Sequence, residues 1–262
     1  MVYFCLMTPL SRPLNLKKSL GQHFLKDELV CQKIIDALKQ NPFTQLLEIG
    51  PGAGALTRTL ITMKEVDFKA VEIDREKVAY LKNLYPVMNG RIIEMDFLQV
   101  GKPFEGPFTI IGNFPYNIST EILFKVLGWR DDVERVIGMF QKEVALRISA
   151  SEGNKIYGVT SVLLQAFFEI EYLFEVSEQA FNPPPKVKSA VIRLTPKKET
   201  PPFRTEKMFF LLVKTAFNQR RKTLRNAVKG LFPEDILKDP LFNKRAEQLT
   251  ILQFAELTWK MK

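Results

Sequence analysis

The sequence predicts an α/β protein: a mostly parallel sheet in its larger part and helices alone in its smaller part. Short apolar runs of strand length alternate with helical segments between residues 45 and 194, a pattern typical of βαβ units. A polar, proline-rich stretch then precedes segments with helical periodicity only. We therefore expect an arm at 1–16, a sheet domain at 17–196, a linker at 197–202 and a helical domain at 203–262.

The composition narrows the class of partner. The chain has 262 residues, enough for a full core, and Lys plus Arg exceed Asp plus Glu by 38 to 29. The net charge of +9 favours a polyanionic partner, and RNA, DNA and an anionic membrane surface all fit. With only two cysteines, Cys5 and Cys31, we expect no disulfide framework, no metal cluster and a cytoplasmic location.

Neither the N-terminal segment nor the apolar runs indicate a membrane protein. Residues 1–16 lack an early basic region, a sustained apolar core and a small-residue cleavage site, so we expect a disordered arm. The most apolar window, 159–176, contains four interrupting polar residues and falls short of the roughly 18 consecutive apolar residues of a membrane span. We expect a soluble protein.

The first strand of the predicted sheet, 45–49, runs into a glycine turn and then a helix from about 55 to 63. Such a unit opens a nucleotide-binding fold, because glycines let the backbone approach a ligand at the helix N-terminus. The glycines Gly50, Gly52 and Gly54 have the spacing G-x-G-x-G and not the dehydrogenase spacing G-x-G-x-x-G. This spacing favours S-adenosylmethionine over a dinucleotide.

Acidic residues stand at the ends of the next two predicted strands. Glu72 lies about 20 residues beyond the glycines, where a carboxylate can accept both hydroxyls of a ribose. Asp96 follows the strand 91–95, where it or a neighbouring amide can bind an adenine amine. A solvated charge is the alternative for each acid, but ligands of open α/β sheets bind at this edge.

The turn after the next predicted strand has the chemistry to activate an exocyclic amine. The side-chain oxygen of Asn113 and the carbonyl of Phe114 can accept the two N–H bonds of a nucleobase amine and localise its lone pair. Pro115 stiffens the turn, and Tyr116 offers a ring on which a flipped base can stack. Phe181 precedes three prolines in a stiff loop and is the candidate for a second stacking wall.

Two basic clusters are candidates for phosphate contacts, with a solvated surface as the alternative. The first is Lys17 and Lys18, beside a glycine-containing turn. In the second, Arg221 and Arg225 are spaced i, i+4 in a predicted helix at 221–231 and would share one face. The other members of the second cluster are Arg220 and Lys222.

Taken together, these features resemble the KsgA family of ribosomal RNA adenine N6,N6-dimethyltransferases. The resemblance runs from about Lys17 to the C-terminal helices, and as a set its segments are highly specific. In order they are Gly21-Gln22-His23-Phe24-Leu25, Glu48-Ile49-Gly50-Pro51-Gly52, Glu72-Ile73-Asp74, Asp96, Asn113 to Ser119, Gln141-Lys142-Glu143, Pro183 to Val187, and Phe217 to Asn226.

The resemblance implies a Rossmann-like class I methyltransferase domain with a seven-stranded sheet and a small helical domain that binds RNA. It implies that the cofactor pocket is lined by His23, Leu25, Gly50, Glu72, Asp96 and Asn113. It further implies two adjacent target adenosines in a hairpin near the 3′ end of small-subunit rRNA. The base would lie between Tyr116 and Phe181, and Lys17, Lys18 and the C-terminal basic helix would hold the RNA backbone.

Three positions depart from the family pattern. Phe114 stands where many members have Leu, but the proposed role belongs to its carbonyl. His23, the only histidine, stands where some members have Asn, and a structural role is its alternative. Lys188 stands where the family often has Asp, which leaves an acid-dependent role there in doubt.

From the resemblance we expect direct in-line methyl transfer without a metal, by a monomer acting on a small-subunit precursor. Three alternatives stay open. An Erm-type large-subunit rRNA methyltransferase shares the catalytic segments and differs at 217–226. A DNA adenine methyltransferase is disfavoured because no target-recognition domain is evident. An RNA-binding assembly factor with secondary catalysis belongs to another class, and the intact set of Gly50, Glu72 and Asn113 argues against lost catalysis.

Overall fold

A computed structural model describes residues 23–262 of the chain. The proposed arm at 1–16, the Gly21-Gln22 pair and the two basic residues Lys17 and Lys18 lie outside the described residues.

The described chain contains a seven-stranded sheet in the order β4-β3-β2-β5-β6-β9-β7. Its strands are β2 (Gln45–Ile49), β3 (Asp67–Glu72), β4 (Ile92–Glu94), β5 (Phe108–Asn113), β6 (Val133–Gln141), β7 (Phe168–Val176) and β9 (Ser189–Pro196). The first five in spatial order are parallel, whereas β9 is antiparallel to both β6 and β7. The mostly parallel, seven-stranded prediction is confirmed.

Two short strands form a separate antiparallel ribbon. They are β1 (Phe24–Leu25) and β8 (Phe181–Asn182), and Leu25 pairs with Phe181. The ribbon joins the start of the described chain to the proline loop, although 156 positions separate the paired residues in sequence. Strands of two residues are too short to show a periodic pattern, and the sequence did not predict this pairing.

The helices follow the expected alternation. They are α1 (Glu28–Lys39), α2 (Thr57–Leu60), α3 (Arg75–Leu84), α4 (Ser119–Leu127), α5 (Lys142–Ile148), α6 (Val159–Gln165), α7 (Glu206–Asn218), α8 (Leu224–Val228) and α9 (Ile251–Leu257). The start of α1 is confirmed: Asp27 accepts hydrogen bonds from the backbone N–H groups of Leu29 and Val30, as an N-cap does.

Two helices are shorter than predicted. The helix expected at 55–63 is reduced to α2, between turns. The helix expected at 221–231 begins only at Leu224, because Thr223 has extended backbone, and residues Lys229–Leu231 form a 3₁₀ turn. The prediction that Arg221 and Arg225 share a helix face is therefore wrong.

The core positions one end of the sheet for ligand binding. Apolar side chains of α1 pack on one face, and a second cluster on the other face continues into α7 and α9. The chain runs from β2 outward to β4 and then returns to β5 on the other side of β2. The crevice at the carboxyl ends of β2 and β5 is thus the point at which the strand order reverses, where α/β sheets bind ligands.

The helical region packs directly on the sheet region. Arg130 forms an ion pair with Glu206 at 2.9 Å, and the rings of Phe167 and Phe203 lie 5.9 Å apart. Lys197, at the start of the expected linker, donates its backbone N–H to Phe167. The division into two domains stays a prediction.

Candidate active site

A cavity opens at the carboxyl ends of β2, β3 and β5. All six residues predicted to bind the cofactor line it: His23, Leu25, Gly50, Glu72, Asp96 and Asn113. Phe114, Pro115 and Tyr116 line the same cavity. Residues at the ends of four sheet strands, from β1 and its preceding residue, and from the turn after β5 are therefore brought together, while their chemical roles stay predictions.

The glycine turn and Glu72 form one hydrogen-bonded unit. Gly50 has φ +66°, a conformation that side chains with a Cβ rarely adopt, and its N–H donates to Val71. The carboxylate of Glu72 accepts from the N–H of Gly52 at 3.2 Å and from the N–H of Asp74 at 2.9 Å. Because each oxygen keeps a second lone pair, the buried carboxylate is fixed and still able to accept from a ligand.

Asp96 is held by the turn that follows it. One carboxylate oxygen accepts from the N–H of Leu98 at 2.9 Å, so Asp96 caps the 3₁₀ turn Phe97–Gln99. The side chain is half-buried at the cavity wall, with Phe97 beside it. Its position is set by the local turn and does not depend on a distant contact.

Glu48 is a buried acid in the cavity wall to which the sequence reading gave no role. It accepts a hydrogen bond from the hydroxyl of Thr57 at 2.7 Å. Burial raises the pKa of Glu48 to about 8. The hydrogen bond from Thr57 lowers this pKa, and the charge of Glu72 raises it further. A charged residue type inside the apolar run Leu46–Ile49 was the available signal.

Asn113 is oriented by a contact from the start of the described chain. Its side-chain nitrogen donates to the backbone oxygen of His23 at 3.0 Å. With the nitrogen engaged there, the side-chain oxygen is the atom left to accept from an incoming donor. This is the acceptor that the activation of an amine requires.

The ring of Phe114 anchors the turn from below. It is 1% exposed and lies edge-on to Phe140, with ring centroids 5.0 Å apart. A Cβ added at Gly112 or Gly138 would lie 2.8 Å from this ring, so these two paired glycines make the space that it fills. The backbone N–H of Phe114 also donates to Met139 at 3.2 Å, which fixes the adjoining peptide.

Tyr116 is held at its hydroxyl and covered on its ring. The hydroxyl is hydrogen-bonded to that of Ser189, and burial raises the pKa of Tyr116, so the phenol is neutral at physiological pH. The His23 ring stacks on it at 5.8 Å with an interplanar angle of 28°. The Nδ1 of His23 is 3.0 Å from the carbonyl oxygen of Pro183, and since a carbonyl only accepts, Nδ1 carries the proton.

The structure does not place Phe181 in the cavity. Its ring is fully buried in an apolar cluster with residues of α1, and Phe181 pairs with Leu25 in the ribbon. The ring stacked on Tyr116 is that of His23. In this conformation Phe181 does not form a wall opposite Tyr116, because its ring is buried in that apolar cluster.

The C-terminal basic residues divide into two pairs, and all four are exposed. Arg220 donates to the carbonyl oxygens of Lys155 and Tyr157, at 2.7 and 3.0 Å, and Arg225 donates to that of Leu237. Arg221 and Lys222 lie in the turn between α7 and α8. Arg220 and Arg225 thus bind backbone carbonyls, and the charges of Arg221 and Lys222 lie on an exposed turn.

Within residues 23–262, no group of three or more His, Cys, Asp or Glu side chains is arranged to hold a metal ion. No helix in the same range is long and apolar enough to cross a membrane.

The fold and the cavity are those of a class I, S-adenosylmethionine-dependent methyltransferase. They combine a Rossmann-like sheet with a G-x-G-x-G turn, an acid at the next strand end and an N-F-P-Y turn. The cavity fits that cofactor, because the glycine turn and a buried carboxylate that can still accept hydrogen bonds lie side by side in its wall. Residues 14–260 match the family described as ribosomal RNA adenine dimethylase. The chain belongs to this family and is an S-adenosylmethionine-dependent rRNA adenine dimethyltransferase.

Similar proteins agree with this assignment. A protein of Cytophaga hutchinsonii named ribosomal RNA small subunit methyltransferase A is 53% identical over 246 residues, covering 92% of this chain and 95% of its own length. One of the same name from Phocaeicola vulgatus is 51% identical, covering 92% and 88%. A dimethyladenosine transferase from Plasmodium falciparum has a TM-score of 0.77 and 28% identity, covering 90% and 96%. The 23S rRNA methyltransferase ErmE, at 24% identity and TM-score 0.61, covers 89% and 98% and shares the fold.

Proposed function

We propose that this enzyme transfers methyl groups to N6 of two adjacent adenosines in a hairpin near the 3′ end of small-subunit rRNA, so that each becomes N6,N6-dimethyladenosine. Support for the subunit comes from the relatives at 53% and 51% identity, whose names specify the small subunit. The observation that carries the reaction is the placement of Asn113 in one cavity with Gly50 and Glu72.

The cofactor half of the cavity is assigned to strand ends. Glu72 would accept the ribose hydroxyls with the lone pairs that the backbone N–H groups leave unused. Asp96 and its turn would meet the adenine, and Gly50, with His23 and Leu25, would meet the amino-acid moiety. When bound, the cofactor supplies a sulfonium methyl group, already activated by its positive charge.

The target half of the cavity is assigned to the turn. The side-chain oxygen of Asn113 and the carbonyl of Phe114 would accept the two N–H bonds of the adenine amine. With both N–H bonds accepted, the nitrogen would approach tetrahedral geometry and its lone pair would be localised for transfer. Positioning supplies most of the acceleration. Tyr116 would support the flipped base by stacking, once the ring of His23 gives up that place.

Proton removal follows methyl transfer. The hydroxyl of Tyr116 is a poor base, because burial raises its pKa and keeps the phenol neutral, and its oxygen is already hydrogen-bonded to Ser189. Once methylated, the amine is cationic and strongly acidic, so its proton passes to water without a protein base. No step calls for a metal ion.

We infer further that the substrate is a precursor of the small subunit, and that the enzyme acts as a monomer in the cytoplasm. The charge of +9 suits a particle with exposed rRNA. The exposed turn with Arg221 and Lys222 offers charge for phosphate contacts away from the cavity.

The deciding experiment maps labelled methyl groups on rRNA. Ribosomal particles that lack the modification are incubated with the enzyme and labelled S-adenosylmethionine, and the modified nucleotides are located by primer extension. We expect dimethyladenosine at two adjacent positions near the 3′ end of small-subunit rRNA. Label confined to large-subunit rRNA would instead assign the Erm-type activity.

A further inference from the structure

A groove distinct from the cofactor cavity is lined by two lysines that share one carboxylate. Lys142 and Lys188 both form ion pairs with Glu175, one with each of its oxygens. Two ammonium groups and one carboxylate leave a net charge of +1. The lysine side chains are 38% and 50% exposed, so the positive charge faces solvent.

The lysine pair lies next to the residue that anchors Tyr116. Lys188 directly precedes Ser189, whose hydroxyl bonds that of Tyr116. Lys142 follows Gln141, which pairs with Ser189 across β6 and β9, and the N–H of Lys142 donates to the carbonyl of Lys188 at 2.9 Å. Both lysines therefore lie on the target side of the cavity.

The groove has one wall residue, Ile156, beside a segment that Arg220 contacts. Apart from the lysines, it is lined by Glu143, Leu146, Ile156 and Val187. Leu146 and Val187 are 38% and 44% exposed, so the floor is apolar and open. Ile156 is flanked by Lys155 and Tyr157, whose carbonyls both accept from Arg220. Arg220, which directly precedes Arg221 and Lys222, thus holds the segment next to this wall of the groove.

We propose that this groove binds the RNA strand beside the target adenosine, with one backbone phosphate between Lys142 and Lys188 and a ribose or base on the apolar floor. The inference rests on the proposed function, since it takes the Tyr116 side of the cavity as the entry of the target base. Glu175 holds the two ammonium groups together and yields to the phosphate when RNA binds. An RNA strand is favoured because further exposed cations flank the lining residues: Lys155 precedes Ile156, Lys186 precedes Val187, and Arg220 bonds the carbonyl of Lys155.

The test compares Lys142→Gln, Lys188→Gln and the double variant with wild type. The ligand is whichever rRNA the wild type methylates, so a wrong subunit assignment does not affect the result. We expect the double variant to bind this RNA about tenfold more weakly at low salt. We also expect the slope of log K against log salt to fall by about 0.7 to 0.9, the loss of one phosphate contact. The dissociation constant of S-adenosylmethionine and the melting temperature should not change.

Lys64→Gln is the matched control, because Lys64 is exposed and precedes β3 at the opposite end of the sheet. A double variant with the salt slope of this control overturns the proposal. Glu175→Gln separates phosphate binding from a structural ion pair. We expect that variant to bind RNA at least as tightly as wild type, because the competing carboxylate is gone. Weakening equal to that of the double variant would show that the lysines act only through Glu175 and would also overturn the proposal.

Discussion

The two halves of the cavity are held in place in different ways. In the cofactor half, Glu72 is fixed by backbone N–H groups of neighbouring turns, and Asp96 by the N–H two residues further on. In the target half, Asn113 is oriented by the carbonyl of His23, 90 positions away, and Tyr116 by Ser189, 73 positions away. The comparison indicates that the two acids of the cofactor half are held by the sheet edge and its turns, whereas the two target-side residues depend on distant segments.

The largest effect is expected from Asn113→Ala. Removing one of two acceptors that act in the transition state should lower kcat about 100- to 1000-fold. The dissociation constant of S-adenosylmethionine should change only a few-fold, because Glu72 and Asp96 keep their contacts. Single-turnover methyl transfer and calorimetric titration measure the two quantities.

Asn41→Ala is the control for this variant. Asn41 is exposed and lies between α1 and the amino end of β2, opposite to the end that forms the cavity. Turnover by Asn113→Ala within a few-fold of wild type would remove the assigned role of the turn.

The opposite pattern is expected from Glu72→Ala, the next largest change. Loss of hydrogen bonds to a charged acceptor should weaken S-adenosylmethionine about 10- to 100-fold. At saturating cofactor, kcat should stay within a few-fold of wild type, because Asn113 is anchored elsewhere. Glu65→Ala, an exposed acid just before β3, is the control. Equal losses in kcat and affinity would mean that the two halves are not independent.

Glu48, in the wall of the cofactor half, makes the free energy of unfolding depend on pH. Its pKa is about 8 in the folded protein, against an ordinary value of 4.5. Between these values the folded state keeps a proton that the unfolded chain releases, so rising pH favours unfolding by about 1.4 kcal/mol per pH unit. Glu48→Gln keeps an oxygen for Thr57 and has no proton to release, so it should become progressively more stable than wild type across this range.

Urea unfolding of the free protein at pH 5, 6, 7 and 8 measures the difference. Glu65→Gln, which alters an exposed acid, should follow wild type. A constant difference between Glu48→Gln and wild type over this range would show that Glu48 ionises normally.

The sequence predicted the residues at strand ends and missed the contacts made by the short ribbon. Gly50, Glu72, Asp96 and Asn113 each end a strand with a clear apolar pattern, so sheet topology alone brings them together. The sequence also predicted the class of fold and the Asp27 cap. The burial of Phe181 and the stack of His23 on Tyr116 depend on the two-residue ribbon, for which no periodicity exists.

Three further features needed atomic packing. The space for Phe114 comes from Gly112 and Gly138, which become neighbours only when β5 and β6 pair. The raised pKa of Glu48 requires its complete burial. The sequence pattern predicts a helix from residue 221, yet Thr223 has extended backbone and the helix begins at Leu224. The first two features depend on tertiary contacts, and the third depends on one backbone conformation that ends a helical pattern.

The smallest effect is expected where the target half is held by one bond, that between Tyr116 and Ser189. Tyr116→Phe and Ser189→Ala each remove it and keep the ring, so each should raise the KM for RNA by roughly 2- to 10-fold, the value of one hydrogen bond. Because both remove the same bond, the double variant should lose no more than either single one, a coupling that a double-mutant cycle measures directly. Ser151→Ala, at an exposed serine, is the control. Losses that add would show that Ser189 does not position Tyr116, and the target half would then resemble the cofactor half in being held locally.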